Sequence, residues 1–124
     1  MYSLSTLASI TGSSKLAATQ PDAVAISAIT VVELVHGAYR SLRVQANLDQ
    51  VNMVLAQFQC LPLDQAVAIY AGRIDAELMA HGSRIGPYDT LIAAMACVYD
   101  LTLVTHNIGE FSRVAGLRLE DWES

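Results

Sequence analysis

Lysine is nearly missing. Of seven basic side chains in 124 residues only Lys15 is lysine, the other six being arginine. Phosphoryl-transfer sites built on a late lysine, such as receiver domains and P-loops, therefore have no residue to use. Cysteine is also scarce. Cys60 and Cys97 sit in apolar surroundings without partners at metal-ligand spacing, which excludes a zinc site and predicts two buried, reduced thiols. Long hydrophobic runs are absent too. The longest apolar tract, Ala23 to Val35, is broken by Ser27, Thr30 and Glu33, short of the ~18 residues of a membrane span. The first twelve residues lack the basic start and apolar middle of a signal peptide. A cytoplasmic protein without membrane attachment is expected. No repeat, low-complexity run or dividing linker occurs.

What is present is apolar. Hydrophobic residues make up 53% and charged residues 15%, too apolar a mixture for a disordered chain. The length suits a single domain, residues 1–124, burying roughly two thirds of its unfolded surface. Twelve acids against seven bases leave a formal charge of −5. Nucleic acid could not be held by a broad basic surface on such a chain, so a nucleic-acid role needs another device.

Patterning predicts strands alternating with helices. Tyr2 to Leu4 and Val24 to Ser27 read as short strands, with turns at Gly12-Ser13-Ser14 and Pro21-Asp22. Thr30 and Glu33 have capping-box spacing for a helix bearing Val31, Leu34, Val35, Ala38 and Leu42 on one face. A second helix spans about Arg43 to Gln57, and Cys60 to Leu63 reads as a strand. Asp64 caps a long helix ended by Gly82. Gly86-Pro87 opens another, with proline in its preferred first turn. Leu101 to Thr105 and Leu117 to Leu119 read as strands around a single helical turn at Gly109 to Arg113. This order describes an α/β domain with a mainly parallel sheet, whose ligand sites lie beyond the carboxyl ends of the strands. Thr105, His106 and Asn107 are then the residues to watch.

Three acids lie on otherwise apolar elements. Asp89 shares a helix face with Ile92, Ala93 and Ala96; it is either a dipole-favoured first-turn acid or part of a site. Glu33 has Gly37 four residues on, which leaves open space beside it. Glu33 is either a capping glutamate or a site member. Glu110 follows the late strand through His106-Asn107, where the histidine is either a base, a ligand or plain surface. A parallel sheet could bring all three acids to one edge. Clustered carboxylates repel by roughly 4 kcal/mol per pair at ~4 Å and an effective dielectric of 20, so the cluster calls for a cation. An all-oxygen set favours Mg²⁺ or Mn²⁺ over zinc.

Four blocks carry a family resemblance: Ile26-Ser-Ala-Ile-Thr-Val-Val-Glu33-Leu-Val-His-Gly37; Ile85-Gly-Pro-Tyr-Asp89-Thr-Leu-Ile-Ala-Ala94; Leu103-Val-Thr-His-Asn107-Ile-Gly-Glu110-Phe111; and Gly116-Leu-Arg-Leu-Glu-Asp-Trp122. In order and spacing they resemble the PIN-domain family, and within it the VapC-type toxins of bacterial toxin–antitoxin pairs. The resemblance runs from about residue 22 onward. It implies a three-layer fold with a mainly parallel central sheet between helices, binding of Mg²⁺ or Mn²⁺ by acids, RNA cleavage, a homodimer and a small antitoxin partner. Carried over by motif, Glu33, Asp89 and Glu110 would hold metal, with Asn107 as a further catalytic polar residue. Residues 1–22 depart from the pattern. Family members open with an apolar strand ending in Asp-Thr-Asn, whereas here Ser5 stands where that ligand is expected and no acid precedes Asp22. Two functions are therefore carried forward. One is a metal-dependent endoribonuclease toxin, with Arg40, Arg43 and Arg84 lining the RNA approach. The other is a catalytically impaired binding module that sequesters an antitoxin or pairs with an active homologue. The apolar helices of Thr30 to Gln57 are expected to carry self-association or partner binding.

Overall fold

Val24-Ala-Ile-Ser27 is too short and too apolar to lie on a surface. In the computed structural model, which describes residues 4–9 and 21–122, these residues form β2 (Val24–Ser27), buried at every position. Around it run β1 (Thr6–Ala8), β3 (Gln59–Leu61), β4 (Thr102–Val104) and β5 (Leu119–Glu120). They make one five-stranded sheet in the order β3-β2-β1-β4-β5, parallel at every pairing. The helices are α1 (Ala28–Arg40), α2 (Val44–Gln57), α3 (Gln65–Ala80), α4 (Pro87–Val98) and the single turn α5 (Ile108–Phe111).

The pleat sorts the core into two layers. Leu7 lies beside Ala25 and Leu103 in register. These face a cluster with Val67, Ala71, Ile74 and Leu78 of α3 and Ile92, Ala93 and Met95 of α4. Ala8, Val24 and Ile26 join Phe58 in the other cluster, with half-buried Val54, Leu55 and Trp122 packed against them. A sheet buried on both faces between helices is the expected three-layer arrangement. Small Ala93, Ala94 and Ala96 are fully buried, and their size lets α4 lie close to the strands.

Several local signals act as read. Asp64 caps α3, its carboxylate accepting the Val67 amide at 2.9 Å, and Gly82 takes the left-handed φ of +66° just past that helix. Pro87 begins α4. Two expectations are corrected. Ser27, not Thr30, caps the helix after β2: its Oγ accepts the Ile29 amide at 2.9 Å, and Thr30 lies inside α1. The first described strand is Thr6–Ala8, placed by pairing with Val24 and Thr102, while Tyr2 and Ser3 of the strand read at Tyr2 to Leu4 lie outside the described residues. The thiols are free but not buried, since Cys60 is exposed on edge strand β3 and Cys97 is only partly covered. The turn expected at Gly12-Ser13-Ser14 lies outside the described residues.

Candidate metal centre

Gly86-Pro87 starts α4 at the carboxyl end of the sheet and puts Asp89 in its first turn. Across from it, β4 ends at Val104, and buried Thr105 turns the chain: its Oγ1 accepts the Asn107 backbone amide at 3.0 Å. That turn directs the Asn107 side chain to the start of α4. Asn107 Nδ2 donates to Asp89 Oδ2 at 3.1 Å and to Glu110 Oε2 at 2.8 Å. Glu110 is held there because α5 is anchored by Phe111, which is 1% exposed. One amide group thus stands between two carboxylates.

Burial, then the charge of Glu110, pushes the Asp89 carboxyl above the usual aspartate value, against the pull of the Asn107 hydrogen bond. Glu33, in the second turn of α1, has an exposed side chain with a partly screened carboxyl. That screening first, and the Asp89 charge second, raise its pKa as well. Asp89 is the middle member of a row of three acids, and among the described residues no arginine pairs with any of them. Thr30, three residues before Glu33 on α1, is buried, and its hydroxyl has no partner among the described residues.

The donor chemistry fits a hard divalent cation. The groups are carboxylate and amide oxygens, and Mg²⁺ needs only one or two direct carboxylates while keeping its waters. The set is not drawn into a closed shell: among the described residues no three His, Cys, Asp or Glu side chains form a ready-made ligand group. The Asn107 amide fills the gap between two of the acids, and Glu33, on α1, is near enough to Asp89 to feel its charge.

Other expected members fall elsewhere. Ser5 is at the wrong end of the sheet. It precedes β1, its amide donating to Ala23 O at 2.9 Å and its carbonyl accepting from Thr102 at 3.0 Å, so Ser5 sits at the amino end, away from Asp89. The residue at the carboxyl end of β1 is Ser9, whose amide donates to Val104 O at 2.9 Å. Arg40 ends α1 and Arg43 precedes α2; with 1.5 Å of rise per residue, Arg40 is about 10 Å along the helix from Glu33. Arg84, in the loop before α4, is bound in a two-pronged pair with Asp75 at 3.0 and 2.9 Å. His106 pairs with Asp121 at 3.1 Å. Gly37, read as leaving room beside Glu33, does have open space, as a Cβ there would meet nothing within 4 Å. That room belongs to a cavity of about 430 Å³ between α1 and α2, lined by Leu34, Ala38, Val51 and Val54. Thr105, singled out in the sequence by its place at the end of the late strand, serves as a positioning group through its hydroxyl.

Comparison with known proteins agrees with this geometry. The PIN domain family profile matches residues 10–117. The tRNA(fMet)-specific endonuclease VapC of Salmonella typhimurium is 43% identical over 97 residues, covering 78% of this chain and 74% of that protein. Ribonuclease VapC2 of Rickettsia felis is 35% identical over 100 residues, covering 81% and 75%. Among solved structures, DNA-bound VapBC of Salmonella typhimurium superposes with a TM-score of 0.88 at 33% identity, covering 96% of this chain and 98% of that one. VapBC2 of Rickettsia felis, bound to a fragment of its promoter DNA, gives 0.76 at 35%, covering 80% and 74%. With the four sequence blocks, the parallel order β3-β2-β1-β4-β5 and these matches in agreement, the chain belongs to the PIN-domain family, among its VapC-type members.

Proposed function

We propose that this protein is a divalent-metal-dependent endoribonuclease toxin that hydrolyses RNA phosphodiesters in the cytoplasm, acts as a homodimer and is neutralised by a small antitoxin protein. Its VapC relatives are named as ribonucleases, one of them acting on tRNA(fMet), and its structural relatives are VapBC complexes. PIN-domain ribonucleases generally depend on a divalent metal. No described helix is long and apolar enough to cross a membrane.

The observation that carries the reading is the Asn107 amide shared by Asp89 and Glu110, with Glu33 close enough for Asp89 to raise its pKa. Like charges gathered without a basic partner destabilise the fold, so their retention at the carboxyl end of a parallel sheet marks a site rather than a scaffold. Asp89, Glu110 and Glu33 would hold Mg²⁺ or Mn²⁺, which when bound supplies the positive charge that activates water and stabilises the leaving oxygen. Asn107 keeps the two nearer carboxylates at fixed separation, and Thr105 fixes Asn107. The carboxylate oxygens accept hydrogens from water and so orient it. Ser9, at the carboxyl end of β1 between β2 and β4, takes the place where the family pattern has its first aspartate.

The test is cleavage of tRNA by the purified protein with Mn²⁺ and with chelator. Discrete fragments that appear with Mn²⁺ and vanish with chelator are expected; intact tRNA under both conditions would overturn the reading.

A further inference from the structure

A cleft of about 490 Å³ opens between α3 and the segment after α5, within the size range of small-ligand sites. Its polar lining is Tyr70, Arg73, Glu77, His81, Ser83 and Arg113. The chain has six arginines and a net charge of −5, yet two of the six line this cleft, and Arg113 is fixed at its rim by donating Nη1 to the Arg84 carbonyl at 3.1 Å. Glu77 is the one acid among the lining residues, and its contact with Arg73 is a loose 3.7 Å, with both side chains more than half exposed. Such a pair yields readily to a better-placed anion. The Arg113 end of the cleft lies one turn of chain from Glu110, the Arg113 amide donating to the Glu110 carbonyl at 3.1 Å.

Deeper in, the Arg73 guanidinium lies 4.5 Å above the Tyr70 ring. A cation stacked on an aromatic ring is the surface on which an unpaired base rests, while neighbouring arginines hold the backbone. Arg113 uses one of its guanidinium donors on the Arg84 carbonyl, and an arginine has five.

We propose that this cleft is a second substrate contact, in which Arg113 and Arg73 bind phosphates of single-stranded RNA leaving the acids and the Tyr70–Arg73 stack takes one unpaired base. The assignment rests on the ribonuclease reading for its substrate class. It supplies what an acidic surface lacks, a short cationic track beginning beside the acids. Arg40 and Arg43, at the far end of α1, lie off that track.

The experiment is fluorescence anisotropy with a labelled 12-nucleotide single-stranded RNA, in chelator so that nothing is cut. It compares the full chain with Arg73→Gln/Arg113→Gln, Arg73→Lys/Arg113→Lys and Asp89→Asn. Each lost phosphate contact removes ~0.7 from the slope of log affinity against log salt, so the glutamine pair flattens it by about 1.4 and weakens binding roughly 25-fold at 0.1 M salt relative to 1 M. The lysine pair keeps the slope, and circular dichroism checks that both variants are folded. An unchanged slope and affinity in the folded glutamine variant would overturn the cleft assignment, leaving the ribonuclease reading intact. Flattened binding together with wild-type failure to cleave tRNA in Mn²⁺ would support the cleft and sink the ribonuclease reading instead.

Discussion

Two aspartates belong to opposite ends of the α3–α4 helix pair. Asp64, at the start of α3, accepts hydrogen bonds from the Tyr99 hydroxyl at 2.5 Å and the Val67 amide at 2.9 Å. Those donors, the tyrosine first, hold its pKa below the usual value. Asp89, at the start of α4, has the opposite environment: burial and Glu110 push it up, and only Asn107 opposes them. Both are acids at helix N-termini, with the same favourable dipole. One is supplied with donors and the other with more acids. The first arrangement stabilises the folded chain, whereas the second is tolerable only when something positive arrives.

The largest break in this symmetry comes from exchanging each aspartate for asparagine. Asp89→Asn is expected to reduce tRNA cleavage by about a hundredfold or more, as loss of a direct metal ligand does, while its melting temperature in chelator holds or rises. Asp64→Asn should do the reverse, keeping cleavage and lowering the melting temperature, because Tyr99 and the α3 amides lose a charged acceptor. Parallel assays of rate and melting on the two variants check both.

Asn107→Asp sharpens the contrast by replacing the one donor between Asp89 and Glu110 with a third acid. Loss of two hydrogen bonds to charged acceptors is expected to cost about 2–3 kcal/mol in chelator, with Mn²⁺ restoring most of it. Denaturant titrations with and without the ion measure the difference.

Ser9→Asp places a carboxylate at the carboxyl end of β1 and is expected to tighten Mn²⁺ binding about tenfold, or ~1.4 kcal/mol. Ser5→Asp, at the amino end, should leave Mn²⁺ binding unchanged, since Ser5 is hydrogen-bonded between Ala23 and Thr102. Calorimetric titration of both variants separates the two ends of one strand.

The smallest effect is in the pH dependence of stability without metal. The folded-state values of Asp89 and Glu33 are raised above 3.8 and 4.5, so the folded chain holds their protons more tightly than the unfolded one. Their contribution is present below those values and is lost as pH rises through the raised ones. Asp64 has the opposite sign: its contribution is present above 3.8 and is lost as pH falls through its lowered value. Stability measured from pH 3 to 7 should therefore decline less steeply with rising pH in Asp89→Asn than in the parent, and fall less steeply on acidification in Asp64→Asn.

Much of this was legible in the sequence where a residue's own chemistry sets the local structure. Asp64, Gly82 and Pro87 each impose a cap or a turn whatever surrounds them, and their helices begin and end as read. Asp89, Asn107 and Glu110 were legible because parallel-sheet topology sends the start of one helix and the end of the next strand to the same edge. What failed depends on distant partners. Ser27 and Thr30 both carry hydroxyls suited to capping, and only the early end of β2 favours the first. The position of β1 is set by Val24 and Thr102, which local composition around Ser5 cannot reveal. The Arg84–Asp75 pair bridges a loop, and the exposure of Cys60 follows from the edge position of β3. The track through Arg73 and Arg113 joins residues forty positions apart.

The pairing of Thr6 with Thr102 also governs how the molecule comes into being. β1 is the middle strand, yet one of its two neighbours is made only after almost a hundred further residues, so the sheet cannot close early in synthesis. A contact of such sequence separation carries a large loop-closure cost and slows folding. Asn107 and Glu110 come later still, beyond β4. A chain still being translated can therefore hold a folded α1 bearing Glu33 without yet owning the rest of the acids. The capacity to cut RNA would then switch on as one of the last events of folding.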